Sequence, residues 1–295
     1  MPIKVQIVFE DETGGPSRVQ EIAHLQRGVL SPATLGLTLA EAKALLQQLQ
    51  HHLVKQQVKD YQRQQRFCPD CQSPRRLKDR RPLVYRSLFG KLQLRSERLL
   101  HCDCQPHEGK SFSPLAELLS ERTSPELLYF ESKFAALMSY GLSVKVLSEV
   151  FPIDQHLNAA TIRNHTHKVA ERLESELGEE QFMFIDGCQR DWDALPRPDM
   201  PLTVGIDGGY VHSSERKLDS QRSFEIITGK SIADDGTSKC FALVNRHDQK
   251  PMRRVFELLK SQGMQMNQQV TSLSDGGDTV RDLQLYLKPT GRAFA

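Results

Sequence analysis

The sequence predicts a mixed α+β chain of several modules in series, and three observations lead there. Two close cysteine pairs, Cys68 with Cys71 and Cys102 with Cys104, bracket a stretch that alternates like a strand hairpin. Residues 120–180 carry helix-start signals and apolar stripes. Beyond residue 200 the pattern returns to alternation, with aspartates closing two of the strands. A length of 295 residues leaves room for two or three domains. The apolar fraction of 38% and charged fraction of 26% exclude a collagen-like repeat, a bundle of membrane spans and a wholly disordered chain. Residues 1–10 alternate like a strand and show no signal-peptide pattern, and no apolar run reaches the ~20 residues of a membrane helix. A soluble cytoplasmic protein without a membrane partner is expected.

Residues 1–66 form the first module, that opening strand followed by a long helix. Thr38 and Glu41 have capping-box spacing, and the helix runs from Leu39 to about Gln65. Its stripe of Leu45, Leu46, Leu49, Leu53 and Val54 suits a core face or a helix of another subunit, and a homo-oligomer is expected.

Residues 67–115 form a basic, cysteine-bearing module. Leu83-Val84-Tyr85-Arg86-Ser87-Leu88 and Lys91-Leu92-Gln93-Leu94-Arg95 read as two strands turned at Gly90. Cytoplasmic thiols stay reduced, and two close pairs a hairpin apart have the spacing of a tetrahedral Zn²⁺ site. Cys68, Cys71, Cys102 and Cys104 are therefore the candidate zinc ligands, in a module that resembles a zinc ribbon. Because one residue alone separates Cys102 from Cys104, His101 or His107 stands as an alternative donor for one position. Cys188 and Cys240 read as ordinary buried or half-buried thiols. The formal net charge is only +2, yet basic residues crowd between Arg63 and Arg98 with Asp70, Asp79 and Glu97 as the opposing acids. Arg75, Arg76, Lys78, Arg80 and Arg81 are candidate contacts to DNA phosphates, a solvated face being the alternative.

Residues 120–180 read as helical. Thr123-Ser124-Pro125-Glu126 starts a helix that ends near Met138, Gly141 breaks it, a short helix covers 143–150, and Asn158 caps the next. A short helix, a linker and a helix bearing Thr161, Arg163, Asn164 and His167 near its start suggest a helix-turn-helix whose second helix reads bases; a plain helical hairpin is the alternative. Residues 178–201, with Pro196, Pro198 and Pro201, read as a connector.

Residues 200–288 carry strands at 202–207, 224–230, 239–245 and 269–274, and helices at 252–261 and 279–287. Three strands, a helix and a fourth strand, with Asp207 and Asp275 ending the first and fourth, is the order of an RNase H-like core, in which those two strands are neighbours. Gly208-Gly209 and Gly276-Gly277 leave the backbone open beside each acid. Carboxylate oxygens suit Mg²⁺ or Mn²⁺, and such ions support phosphodiester cleavage. Asp278 and Asp282 read as helix-start and solvent-facing acids, and Glu257 as a partner of Arg253 and Arg254.

Several runs carry a further likeness: Leu115-Ala116-Glu117-Leu118-Leu119 with Glu121-Arg122-Thr123, Ser139-Tyr140-Gly141-Leu142, Val204-Gly205-Ile206-Asp207-Gly208-Gly209-Tyr210-Val211, residues 260–269, and Leu273-Ser274-Asp275-Gly276-Gly277-Asp278. From the N-terminus to about Leu287 the chain resembles the ISKra-type bacterial insertion-sequence transposases. The resemblance implies a DDE transposase, with a zinc-bearing part that recognises double-stranded DNA at the element's ends, then a catalytic domain with Asp207 and Asp275 as its first two acids. In that family a fifth strand and further helices follow and supply a third acid, a glutamate. Here no Asp or Glu occurs after Asp282, and residues 289–295 show no helix or strand pattern and read as an unstructured tail. The expectation is a chain truncated at its C-terminus, with impaired strand transfer. A DNA-binding fragment acting as repressor or competitor at element ends is the alternative. A minor one is an actin-like-fold sugar kinase, since Gly205-Ile206-Asp207-Gly208-Gly209 resembles a phosphate loop.

Overall fold

The computed structural model describes residues 2–10, 18–104, 110–154, 156–180, 190–191, 194–196, 202–212, 223–245, 247–265, 267–268, 270–275, 277–287 and 293–294. His107, Cys188, Pro198, Pro201, Gly276 and residues 266, 269 and 288–292 lie outside them. The architecture is mixed α and β with three sheets, and the chain divides into two units, residues 1–170 and 171–295. Among the described residues no helix is long and apolar enough to cross a membrane.

In the first unit β1 (Pro2–Phe9) pairs antiparallel with β2 (Arg18–Gln26), a strand the sequence pattern does not single out. α1 (Leu39–Gln65) opens on a full capping box: Thr38 Oγ1 accepts from Glu41 N at 3.2 Å, and Glu41 Oε2 accepts from Thr38 N at 2.9 Å. Along α1, Val54, Val58 and Tyr61 pack on Leu83, Leu92, Leu94 and Leu115, whereas Leu46 and Leu53 stay exposed. β3 (Leu77–Ser87) and β4 (Gly90–Leu100) form the hairpin, and β5 (Ser111–Phe112) joins the outer edge of β4. Gly90 holds a φ of 117°, a left-handed value that glycine adopts without Cβ strain.

The helices that follow are α2 (Pro114–Leu118), α3 (Pro125–Leu137), α4 (Tyr140–Val150) and α5 (Ala159–Glu176), the last of which passes into the second unit at residue 171. Their core joins Leu127, Leu147, Ile153 and Ile162 to Leu88 at the hairpin tip. The break before α4 falls at Met138 and Ser139 rather than at Gly141. Ser139 caps the helix by accepting from Leu142 N, so Gly141 sits inside the first turn. Asn158 caps α5, its Oδ1 accepting from Thr161 N at 3.0 Å.

In the second unit β6 (Leu202–His212), β7 (Ser223–Ile232), β8 (Ser238–Val244), α6 (Pro251–Lys260), β9 (Val270–Ser274), α7 (Asp278–Leu287) and β10 (Ala293–Phe294) follow in order. The sheet order is β10-β9-β6-β7-β8, with β7 antiparallel to its neighbours β6 and β8, and β9 parallel to both β6 and β10. Leu202, Val204 and Ile206 face one side of the sheet, where Ile227, Phe241 and Leu243 join them against Val255, Phe256 and Leu259 of α6 and Val280 and Leu283 of α7. Gly229 lies under the Phe241 ring: a Cβ there would meet Phe241 Cζ at 2.2 Å and Gly205 O at 2.8 Å.

Four sequence expectations change here. β6 does not end at Asp207 but continues through Gly208 and Gly209 to His212, because its antiparallel pairing with β7 runs on after β9 has stopped. Cys240 is exposed, since it alternates with the inward-facing Phe241 on β8. Residues 293–294, read as part of an unstructured tail, form a short strand. Ala293 pairs with Ser272 and Phe294 with Leu273 through main-chain bonding, which needs no side-chain pattern. Glu257 pairs with Arg253 at 2.5 Å, but Arg254 turns instead to Glu174 and to Asp248.

Candidate functional site

The cysteine cluster is built by the two ends of the β3–β4 hairpin. After α1 the chain turns tightly: Gln72 N donates to Cys68 O at 3.0 Å, Cys68 N donates to Ser73 O at 3.0 Å, and Gln72 takes a φ of 58°. That turn carries Cys68 and Cys71, and the exit of β4 carries Cys102 and Cys104. The four Sγ atoms all lie within 4.8 Å of one another. Cys68 and Cys104 are 3.5 Å apart, Cys71 and Cys102 3.3 Å, and Cys71 and Cys104 3.4 Å. These separations are too long for disulfides, and all four thiols are free. They are close to the ~3.8 Å edge of a tetrahedron with ~2.3 Å metal–sulfur bonds. The cluster could hold a metal ion and is compatible with a structural zinc.

The electrostatics favour thiolates at the entry turn. Hydrogen bonds from the side chain and backbone of Ser73 hold the Cys71 thiol down to about 6, and the Cys71 backbone N–H lowers Cys68. Cys104 is pushed up, first by its hydrogen bond with Cys102. His101, the alternative donor on the described chain, instead stacks its ring on Phe112, with centroids 4.6 Å apart.

The predicted phosphate contacts divide by what they touch. Arg80 donates to Glu97 Oε1 from Nε at 3.1 Å and from Nη2 at 3.0 Å. Arg75 is half-buried, its guanidinium 4.8 Å from the Phe112 ring centroid and donating to Gln65 O and Phe67 O. Arg76, Lys78 and Arg81 are exposed, Lys78 donating to Ser111 Oγ and Arg81 lying 3.8 Å from Asp79. On α5, Arg163, Asn164 and His167 are exposed and Thr161 is half-buried at the cap. The connector from α4 to α5, residues 151–158, exceeds the turn of about three to four residues in a helix-turn-helix. Its Pro152 and Ile153 are buried.

In the second unit, Ile206 of β6 lies opposite Ser274 of β9 in parallel register. The residue after each is an acid, Asp207 within β6 and Asp275 just past the end of β9, so the two follow the last paired position of neighbouring strands. Both are exposed, and both line a shallow hollow of about 770 Å³ with Gly205, Thr228 and Lys230. Asp275 Oδ1 accepts from Gly277 N at 3.2 Å, which orients its carboxylate. Among the described residues no third His, Cys, Asp or Glu completes a metal-ligating group with this pair. Sequence reasoning passed over Glu225, which accepts from Thr279 Oγ1 and from Asn245 Nδ2, each at 2.6 Å. Nothing local on β7 marks it, because its partners come from α7 and from the end of β8.

No family model and no curated protein matches this chain. Among solved structures it is similar to one described as the crystal structure of NurA, at 16% sequence identity over 42% of this chain and 30% of that one, with a TM-score of 0.15. The match thus spans less than a third of that protein, and a likeness so low carries no argument about fold or function.

Proposed function

We propose that this chain is a DNA-binding protein of the DDE transposase class, acting on double-stranded DNA at the ends of an insertion sequence as a homo-oligomer. The observation that carries the reading is the parallel register of β6 and β9, whose last pair, Ile206 and Ser274, is followed on each chain segment by an aspartate, Asp207 and Asp275. The strand order β10-β9-β6-β7-β8 supports an RNase H-like assignment for the second unit. The four-thiol cluster at the base of a basic hairpin supports a zinc-ribbon-like module in the first.

The acidic pair fits a hard divalent cation, since it offers exposed carboxylate oxygens from β6 and from the residue that follows its parallel neighbour β9. Mg²⁺ or Mn²⁺ bound there would supply Lewis-acid stabilisation for phosphodiester cleavage and strand transfer. The chain's own residues do the positioning. Asp207 and Asp275 fix the spacing of the two carboxylates. Gly209, with no atom within 4 Å of where a Cβ would stand, leaves the backbone open to a large ligand. Lys230, in the same hollow, would present a cation to a phosphate oxygen bound there.

A second reading is favoured by one observation, the absence among the described residues of a third acid beside the pair. Under it the chain binds element ends without cutting them and acts as a repressor or competitor. Cleavage and joining of the element's terminal DNA, with Mg²⁺ or Mn²⁺, tests both readings on the unaltered chain, Asp207→Ala and Asp275→Ala. Metal-dependent cleavage that both variants lose supports the transposase. Binding without cleavage supports the repressor, and no binding of duplex DNA overturns both.

A further inference from the structure

α1 and β4 flank a groove in the first unit, of about 730 Å³, that the cysteine and hairpin motifs do not announce. On its helical wall His51, Lys55, Lys59 and Arg63 recur every fourth residue, and all four are exposed. Arg95 of β4 also lines the groove and is exposed. The walls are pinned together, because Gln62 Nε2 donates to Arg95 O at 2.7 Å.

The single acid lining this groove is already spent. Glu97 is buried, and its carboxylate accepts from Arg66 Nε at 2.9 Å, from Arg66 Nη2 at 2.6 Å and from both donors of Arg80. Lys55, Lys59, Arg63 and Arg95 have no ion-pair partner among the described residues. Four unneutralised cations in one concavity raise the local potential and repel one another, and a bound polyanion relieves both.

We infer that this α1–β4 groove is a track for the phosphate backbone of duplex DNA, with Lys55, Lys59, Arg63 and Arg95 as its contacts. The inference rests on the DNA-binding reading above and deepens it by naming a surface apart from Arg76, Lys78, Arg81 and the outer face of α5. Two features select the ligand. The row from His51 to Arg63 covers ~18 Å of helix axis at ~1.5 Å per residue, which matches about five nucleotides of a duplex rising ~3.4 Å each. The lining holds no Phe, Tyr or Trp, and its one ring, the His51 imidazole, stands at the end of the row, so the groove offers no run of stacking platforms for successive unpaired bases and suits a backbone instead.

The test is the salt dependence of binding to a duplex from the element's end, by the full chain and two variants. Lys55→Ala/Lys59→Ala/Arg63→Ala removes three cations, and Lys55→Arg/Lys59→Arg/Arg63→Lys keeps them. The alanine variant is expected to lower the slope of log K against log salt by about 2 to 3 and to weaken binding about tenfold or more at 0.1 M salt, while the charge-keeping variant retains both. If the unaltered chain binds with a steep slope and the alanine variant matches it, the groove inference is overturned and the DNA-binding reading stands. If the unaltered chain does not bind duplex DNA, that reading fails first and the groove falls with it. Tighter binding of a single-stranded RNA of equal length, lost in the alanine variant, overturns the assignment to duplex DNA.

Discussion

The carboxylate of Glu131, fully buried in α3, lies 2.5 Å from Nδ1 of His165 in α5. The pair ties two helices through one hydrogen bond, and the second oxygen of Glu131 has no partner of its own among the described residues. Truncating the ring would strand a buried carboxylate. His165→Ala is therefore expected to cost about 3 kcal/mol of stability, and Glu131→Ala/His165→Ala less than the sum of the two single changes. Urea unfolding of the three variants reads both numbers.

Acid should loosen the entry to α1. Glu41 is held down to about 2, first by its hydrogen bond from Arg27 and then by the backbone N–H of Thr38. A depressed carboxylate contributes stability that is fully present above its unfolded value of 4.5 and drains away as pH falls from there toward 2. The urea midpoint of the unaltered chain should fall across that window. Glu41→Gln should flatten the fall, and an equal fall in the variant would show that Glu41 has no part in it.

Gly229 has no room for a side chain. Gly229→Ala is expected to destabilise the second unit by about 1–3 kcal/mol, because the new methyl would meet the Phe241 ring. Phe241→Leu in the same chain should recover part of the loss and not all of it, since Gly205 O also lies in the way. Thermal unfolding of the single and double variants measures the coupling.

The cysteine cluster predicts a metal content. Purified protein should carry about one equivalent of zinc, and Cys71→Ser or Cys102→Ser should lose it. Chelation of the unaltered protein should lower Tm by about 10 °C. Elemental analysis with a calorimetric scan decides this, and a chain without metal whose Tm ignores chelator would remove zinc from the reading.

What the sequence made legible was local. Thr38 and Glu41 satisfy each other within one helical turn, so three residues of spacing announce the capping box. The two cysteine pairs likewise sit in short motifs, and the hairpin that separates them alternates cleanly enough to show that both pairs return to one place. Asp207 was misjudged as a strand end because two glycines usually stop a strand, whereas β7 lies outside any local window and carries β6 past them. β10 is illegible for a related reason, since an open strand edge accepts main-chain partners whatever their side chains. Arg80 looked like a free cation because Glu97, which engages it, is brought near by the hairpin register and shares its carboxylate with Arg66 at the end of α1.

The Cys68–Cys104 and Cys71–Cys102 contacts change what the β3–β4 hairpin is as a mechanical object. A hairpin is normally closed by its turn and frays from its open base. With a metal on the four sulfurs the base is clasped as well, and residues 68–104 become a ring with the turn at one pole and the ion at the other. A ring has no end from which to unzip, so its strands separate together or not at all. Stripping the ion restores a frayed end beside Arg75 and Arg76, where a trypsin-like protease would cut first, while the opposite pole stays held by Leu88 in the helical core.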